Sequence, residues 1–299
     1  MKKILLIYNP NAGTGKVLKE LSAVVDILAN SEYELSVYRT KAQLDAFEKV
    51  KSDGDKFDRI VCFGGDGTLS ETVKGVMTLE KKPEIAFVPA GSTNDTAKSY
   101  GIPFDTAKAA ALAINGTARK IDVGVFNGEN FIYVASFGEI STISAFTPRE
   151  LKKALGHAAY VIEGIKVIPK MKATHMKIEH DGNEVEGDFY LGMISNSHQV
   201  AGFSKIAGAN VDLSDGLFEA TIFAKADNLI GYAQQIKGAL IQIEDECSGA
   251  LVRFKAKHLK IKSAEEIQWV TDGEDAGIHN EIEVEVKEKA VEIITNLED

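Results

Sequence analysis

At 299 residues and 44% apolar content, the chain exceeds the length at which one hydrophobic core stops growing and can fill two. A formal charge of −10 and a pI near 5.2 exclude a sequence-wide attraction to nucleic acid or anionic membrane, leaving only a local basic patch for such contacts. The cysteines, Cys62 in an apolar run and Cys247 in an acidic stretch, form no CxxC or Cys/His cluster, which argues against a disulfide framework or a zinc site.

Met1-Lys2-Lys3 leads directly into a short apolar strand, Ile4 to Tyr8, with no long apolar segment or cleavage signature. No apolar run reaches the roughly 20 residues of a bilayer span, so a cytoplasmic protein is expected. A helix follows from Val17 to Ala29, with Leu18, Leu21, Val24, Val25 and Leu28 on a 3.6-residue stripe. Tyr33, Leu35 and Val37 alternate as a strand. Ala42 to Lys51 reads as a helix, Arg59 to Phe63 as a buried strand, Leu69 to Met77 as a helix, Ile85 to Val88 as a strand and Thr106 to Asn115 as a helix. This βαβα order predicts a parallel sheet covered by helices on both faces.

Beyond about Asp122 the pattern becomes short strands joined by hairpin signals. Asn127-Gly128 precedes Phe131 to Ala135, and Asp181-Gly182 joins Met176 to His180 with Val185 to Leu191. Helical stretches at Pro148 to Val167 and Asn228 to Ile243 interrupt this mainly antiparallel region. Strands resume at Leu251 to Phe254, Leu259 to Ile261 and Ile282 to Val286, and a last strand-like run spans Ala290 to Ile294.

The strongest chemical signal is Gly64-Gly65-Asp66-Gly67-Thr68, between a buried strand and a helix. Glycines let the backbone approach a phosphate, and the helix N-terminus offers free N–H groups and a positive dipole end. Read alone, it is more often an ordinary tight turn than a phosphate site. Asp66 would repel a bare phosphate, so phosphate binding there requires an intervening divalent cation or a ribose- or phosphate-bound water. A P-loop would need glycine at Pro10 and Ser or Thr at Val17, and a dinucleotide fingerprint would need glycine at Ser70, so both are excluded. Two further loops lie ahead of helices: Asn9-Pro10-Asn11-Ala12-Gly13-Thr14-Gly15-Lys16, and Pro89-Ala90-Gly91-Ser92-Thr93-Asn94-Asp95. All three follow the carboxyl ends of strands, where open α/β sheets bind ligands. Lys16 and Lys98 stand where they could neutralise phosphate charge. The six histidines show no metal-ligand spacing, and Trp269 and the hairpin aromatics read as core.

Together YNPNAG, GGDGTLSE and PAGSTND, followed by KIDVG at Asp122 and TDGED at Asp272, resemble the diacylglycerol kinase catalytic-domain family, especially the lipid kinases of Gram-positive bacteria. The resemblance runs through essentially the whole chain. It implies an α/β nucleotide-binding domain with a parallel sheet (1–122 with 288–299) and a mainly antiparallel β-sandwich domain for the lipid (123–287), with ATP between them and the last strand returning to the first domain. It implies ATP as phosphate donor, Mg²⁺, and a diacylglycerol hydroxyl as acceptor met at a membrane surface. It places Asn9, Pro10, Asn11, Ala12, Gly13, Thr40, Gly65, Asp66, Gly67, Thr68, Leu69, Ser70, Glu71, Ser92, Asn94 and Asp95 around ATP. At Ser92 the family usually has threonine, and the serine hydroxyl can make the same hydrogen bond.

In the same way Asp212-Leu213-Ser214-Asp215-Gly216-Leu217 resembles the family's Mg²⁺ turn, with the Asp215 carboxylate and the carbonyls of Asp212 and Leu217 as ligands. The resemblance makes Glu274 or Asp272 the catalytic base, the other orienting it or the metal, with Asp122 as a third acid. Basic residues at Lys152, Lys153, Lys166 and Lys170 are candidates for membrane contact, and a homodimer is compatible with the sequence. An NAD kinase shares the GGDGT turn, but PAGSTND and TDGED fit the lipid kinases better. A sphingosine- or ceramide-type kinase uses the same motifs. A catalytically silent nucleotide-binding regulator would not need Asp66, Asp95, Asp272 and Glu274 together.

Overall fold

The computed structural model describes residues 2–138, 172–200, 203–204, 210–226, 228, 231 and 251–297. The helical readings at Pro148 to Val167 and, apart from Asn228 and Gly231, at Asn228 to Ile243 lie outside the described residues. So do Cys247 and the four candidate membrane lysines. The chain forms two compact units, Met1–Val123 with Glu288–Asp299, and Gly124–Lys287.

The first unit opens with β1 (Lys3–Tyr8), α1 (Lys16–Ala29), β2 (Glu34–Arg39), α2 (Asp45–Asp53), β3 (Arg59–Gly64) and α3 (Asp66–Met77). It continues with β4 (Glu84–Pro89), α4 (Asp95–Ser99), α5 (Thr106–Asn115) and the start of β5 (Thr117–Phe126). β2, β1, β3 and β4 pair in parallel in that order, and Ile293 near the chain's end pairs in parallel with Ile85 of β4. The chain runs from β1 outward to β2, then back past β1 to β3 and β4. Right-handed crossovers then put α1 on one face and α2 and α3 on the other. Accordingly α1 packs with α5, and α2 with α3. The reversal makes the carboxyl ends of β1 and β3 a topological switch point, where such sheets leave a crevice.

Helix α1 buries Val17, Val24 and Leu28, while Leu18 is left 54% exposed. The buried stripe thus falls one residue earlier at its start than the periodicity suggests. Each such side chain contributes about 1.5–3 kcal/mol. Helix α2 begins at Asp45 rather than Ala42 because Leu44 adopts a left-handed φ of 64° as its N-cap. Two acidic side chains fix that start: Asp45 accepts the Lys41 N–H at 2.7 Å, and Glu71 of α3 accepts the N–H groups of Leu44 (2.9 Å) and Ala46 (3.2 Å). At the opposite end of the sheet the buried Arg59 donates to Glu84 at 2.8 Å and to the carbonyls of Ala113 and Ile114, the last turn of α5. A cation there satisfies open carbonyls and complements the helix dipole. Arg59→Ala should therefore cost about 1.5–3 kcal/mol, read as a lower urea midpoint at unchanged slope.

The second unit contains the end of β5, β6 (Glu129–Phe131), β7 (Val134–Phe137), β8 (Thr174–His180) and β9 (Asn183–Ser195). After these come β10 (Gln199–Val200), β11 (Phe203–Ser204), β12 (Phe218–Ala224), β13 (Leu251–Ala256), β14 (His258–Thr271) and β15 (Glu274–Thr295), whose last residues re-enter the first unit. The pairings β13–β12, β12–β9, β9–β7, β7–β14, β14–β15 and β8 with both β9 and β14 are all antiparallel. Both hairpin signals make their turns: Asn127 and Gly128 have φ of 46° and 91°, Asp181 and Gly182 of 44° and 86°. Trp269 lies in the core against Phe126 and Phe137, with ring centroids 5.3 and 5.1 Å away.

Candidate functional site

In the first unit the three glycine-rich loops meet at the switch point. After β1, the Asn9 N–H donates to the Phe63 carbonyl at 3.0 Å, its amide nitrogen donates to Thr68 Oγ1 at 3.2 Å, and its side-chain oxygen accepts the Asn11 N–H at 3.0 Å. Through Pro10 the chain then turns so that the Ala12 N–H reaches the Asn9 carbonyl at 3.2 Å. Gly13, with φ of 61°, passes so close to β4's end that an added Cβ would lie 2.0 Å from the Ala90 oxygen. Gly13→Ala must move one loop off the other and adopt a φ that costs about 1–2 kcal/mol. We expect the nucleotide affinity that the resemblance implies to fall about tenfold or more, and the melting temperature to drop by a few degrees.

After β3, Gly65 precedes α3, whose first turn carries Asp66, Gly67 and Thr68, with Leu69 and Ser70 buried behind them. The loop after β4 lies against it: a Cβ on Gly91 would sit 2.9 Å from the Gly65 Cα. Asn94, left-handed at φ 50°, folds its amide back onto the Gly91 carbonyl at 2.9 Å. Asp95 begins α4 and is buried, while Ser92 is exposed at the loop tip. The Thr96 N–H donates to Asp66 Oδ1 at 3.3 Å, so Asp66 and Asp95 stand side by side at two helix starts. Burial raises the Asp66 carboxyl above its ordinary range and the Asp95 charge adds to this, while Thr96 opposes it. Two carboxylates among backbone N–H groups suit a hard cation better than a naked phosphate.

Thr40 is buried, and its N–H and hydroxyl both donate to the Tyr8 carbonyl, at 3.0 and 3.3 Å. Glu71 spends its carboxylate on the start of α2. The Lys16 ammonium donates to the Phe104 carbonyl at 3.2 Å. Asp122, on β5 and wholly buried, accepts the Lys289 N–H at 2.6 Å, where β15 bends through a φ of 50°.

In the second unit Asp272 and Gly273 form the left-handed turn between β14 and β15, with φ of 52° and 86°. The buried Asp272 carboxylate accepts the N–H groups of Ile132 (3.0 Å), Tyr133 (2.9 Å) and Val134 (3.2 Å), and its own N–H donates to the Val134 carbonyl at 2.8 Å. Those bonds explain why the expected strand Phe131 to Ala135 is broken at Ile132 and Tyr133. Glu274, two residues on, is exposed.

The Asp212–Leu217 turn is closed by its own side chains. Asp212 accepts the Ser214 N–H at 3.0 Å, and Asp215 accepts the Leu217 N–H at 3.0 Å. The Lys255 ammonium lies 3.1 Å from both Asp215 Oδ2 and Glu219 Oε1 and donates to the Asn210 carbonyl at 2.7 Å. Glu219 was no candidate from sequence, because it occupies an ordinary position on β12. It is 4% exposed, and burial pushes its carboxyl up to about 7 against the pull of Lys255. His258 likewise meets Glu283 at 2.6 Å across the β14–β15 pair, a juxtaposition that linear spacing does not reveal.

The Diacylglycerol kinase catalytic domain family matches residues 3–126. Diacylglycerol kinase of Bacillus subtilis (strain 168) is 35% identical over 282 residues, 93% of this chain and 91% of the relative. Diacylglycerol kinase of Staphylococcus aureus (strain MRSA252) is 32% identical over 277 residues, 92% and 87% of the two chains. The crystal structure of a diacylglycerol kinase from Bacillus anthracis str. Sterne superposes with a TM-score of 0.81 at 27% identity, covering 99% of this chain and 97% of that one. Similarity of this extent, covering more than nine-tenths of the chain, shows that the chain belongs to the diacylglycerol kinase family.

Proposed function

We propose that the protein transfers the γ-phosphate of ATP to the free hydroxyl of diacylglycerol, giving phosphatidic acid. The observation that carries this reading is the convergence of three glycine-rich loops at the switch point of a parallel sheet, with Asp66 and Asp95 at two helix starts. The first unit is then the nucleotide-binding domain, and the second, a β-sandwich, holds the lipid. Residues Asn9–Gly13, Thr40, Gly65–Glu71, Ser92, Asn94 and Asp95 would surround the nucleotide, Glu71 through its grip on the chain after Thr40. Asp66 and Asp95 would hold Mg²⁺, which when bound neutralises charge on the transferring group.

Phosphoryl transfer to an alcohol forms a P–O bond to the lipid oxygen, breaks the bond to the ADP oxygen and releases the hydroxyl proton. Glu274 is the group we assign to take that proton. Asp272 has its oxygens on three backbone N–H groups, so it acts by fixing the hairpin that carries Glu274. Asp122, buried on Lys289, supports the end of the fold rather than the reaction. The Asp212–Leu217 turn would hold a second Mg²⁺ that shapes the second unit. No helix among the described residues is long and apolar enough to cross a membrane. A long-chain diacylglycerol stays in its bilayer, and the protein would meet it at that surface.

The test is a panel of acceptors with labelled ATP: diacylglycerol, monoacylglycerol, sphingosine, phosphatidylglycerol and NAD. Label in diacylglycerol is expected. Label in NAD alone would overturn the lipid assignment.

A further inference from the structure

The Asp212–Leu217 turn has a feature that its own ligand set does not account for. Glu219, two residues beyond it on β12, is 4% exposed, and its Oε2 has no hydrogen-bond partner among the described residues. Its Oε1 is 3.1 Å from the Lys255 ammonium, which also lies 3.1 Å from Asp215 Oδ2. The two carboxylates therefore share one ammonium. With both carboxylates ionised, one ammonium leaves a negative charge unmatched among the described residues, and Glu219 is the group of the two withdrawn from water. An ionised carboxylate is not kept buried without a counter-charge. A hard divalent cation, which accepts only oxygen ligands, fits that need at the place where Asp215 already offers a carboxylate.

We propose that Glu219 is part of the cation site of this turn, supplying a second carboxylate beside Asp215, with Lys255 holding the two together. The proposal rests on the reading of the turn as a Mg²⁺ site and adds a residue of this chain to it. Charge fits the assignment: Asp215 and Glu219 against Lys255 and one divalent ion leave a net single positive charge, which Asp212 at the start of the turn offsets.

The experiment uses nucleotide-free, full-length protein, so that no metal arrives with ATP. Thermal melting is compared in MgCl₂ and in EDTA at matched ionic strength for wild type, Glu219→Gln and Asp215→Asn, and Mn²⁺ binding is followed by electron paramagnetic resonance. Wild type should melt several degrees higher in Mg²⁺. Glu219→Gln should lose most of that gain and bind Mn²⁺ about tenfold more weakly, yet melt no lower than wild type in EDTA, since it removes a buried charge that lacks a full partner. Glu219→Gln that keeps the full Mg²⁺ gain while Asp215→Asn loses it would overturn the role of Glu219 and leave the turn standing. An equal drop in both media would make Glu219 merely structural and overturn it too. Absence of any Mg²⁺ gain in wild type, with no Mn²⁺ bound, would overturn the turn itself.

Discussion

Glu274→Gln should lower phosphoryl transfer to diacylglycerol by about 10² to 10⁴ while leaving ATP affinity nearly unchanged, the signature of a lost general base. The expectation rests on how the hairpin is built. Asp272 occupies the left-handed corner and receives three backbone N–H groups from Ile132 to Val134, so it is committed to holding the turn. Glu274 follows on the first position of β15 and is exposed, able to meet an incoming hydroxyl. The two acids should therefore separate experimentally. Asp272→Asn leaves backbone donors without full acceptors and should lower the melting temperature as well as the rate, whereas Glu274→Gln should lower the rate alone. Pre-steady-state transfer and equilibrium nucleotide binding, measured beside thermal melting, distinguish them. Wild-type turnover in Glu274→Gln would return the proton to another acceptor.

Asp66→Ala should abolish turnover with the fold retained. The side chain bonds only to the start of α4, through Thr96, whose N–H lies 3.3 Å away, and the Asp95 backbone, among the described residues, so its loss touches that local contact and not the core. Its value lies in charge: set beside Asp95 at the start of α3, it can serve anionic phosphates only by way of a cation. Loss of the carboxylate should thus remove the Mg²⁺ dependence of ATP binding along with activity. Titration of ATP into wild type and variant, with and without Mg²⁺, reads this directly. A variant with near-normal turnover would contradict the phosphate-loop reading.

The sequence shows the first unit well because its helices and strands carry their own periodicity, and each glycine-rich loop is contiguous. What it does not show are features made by distant partners. The start of α2 is moved to Asp45 by Glu71, on another helix. The break between β6 and β7 follows from Asp272, some 140 residues away in sequence. Ile282 to Val286 and Ala290 to Ile294 read as two strands because Lys289 interrupts their alternation. In the structure they are one strand, Glu274–Thr295, bent at Lys289 where Asp122 accepts its N–H. The same limit applies to chemistry: TDGED is visible as an acidic hairpin, but the division of labour within it is set by backbone N–H groups from another strand. Glu219 is invisible for a similar reason, since only the fold brings it to Asp215 and Lys255.

The most direct test of the whole account follows the label from γ-labelled ATP in the presence of diacylglycerol, for wild type in Mg²⁺, wild type in EDTA and Glu274→Gln in Mg²⁺. Label should appear in phosphatidic acid in the first case and fall by at least about a hundredfold in the other two. Absence of lipid label in wild type, or equal labelling in all three, would contradict it.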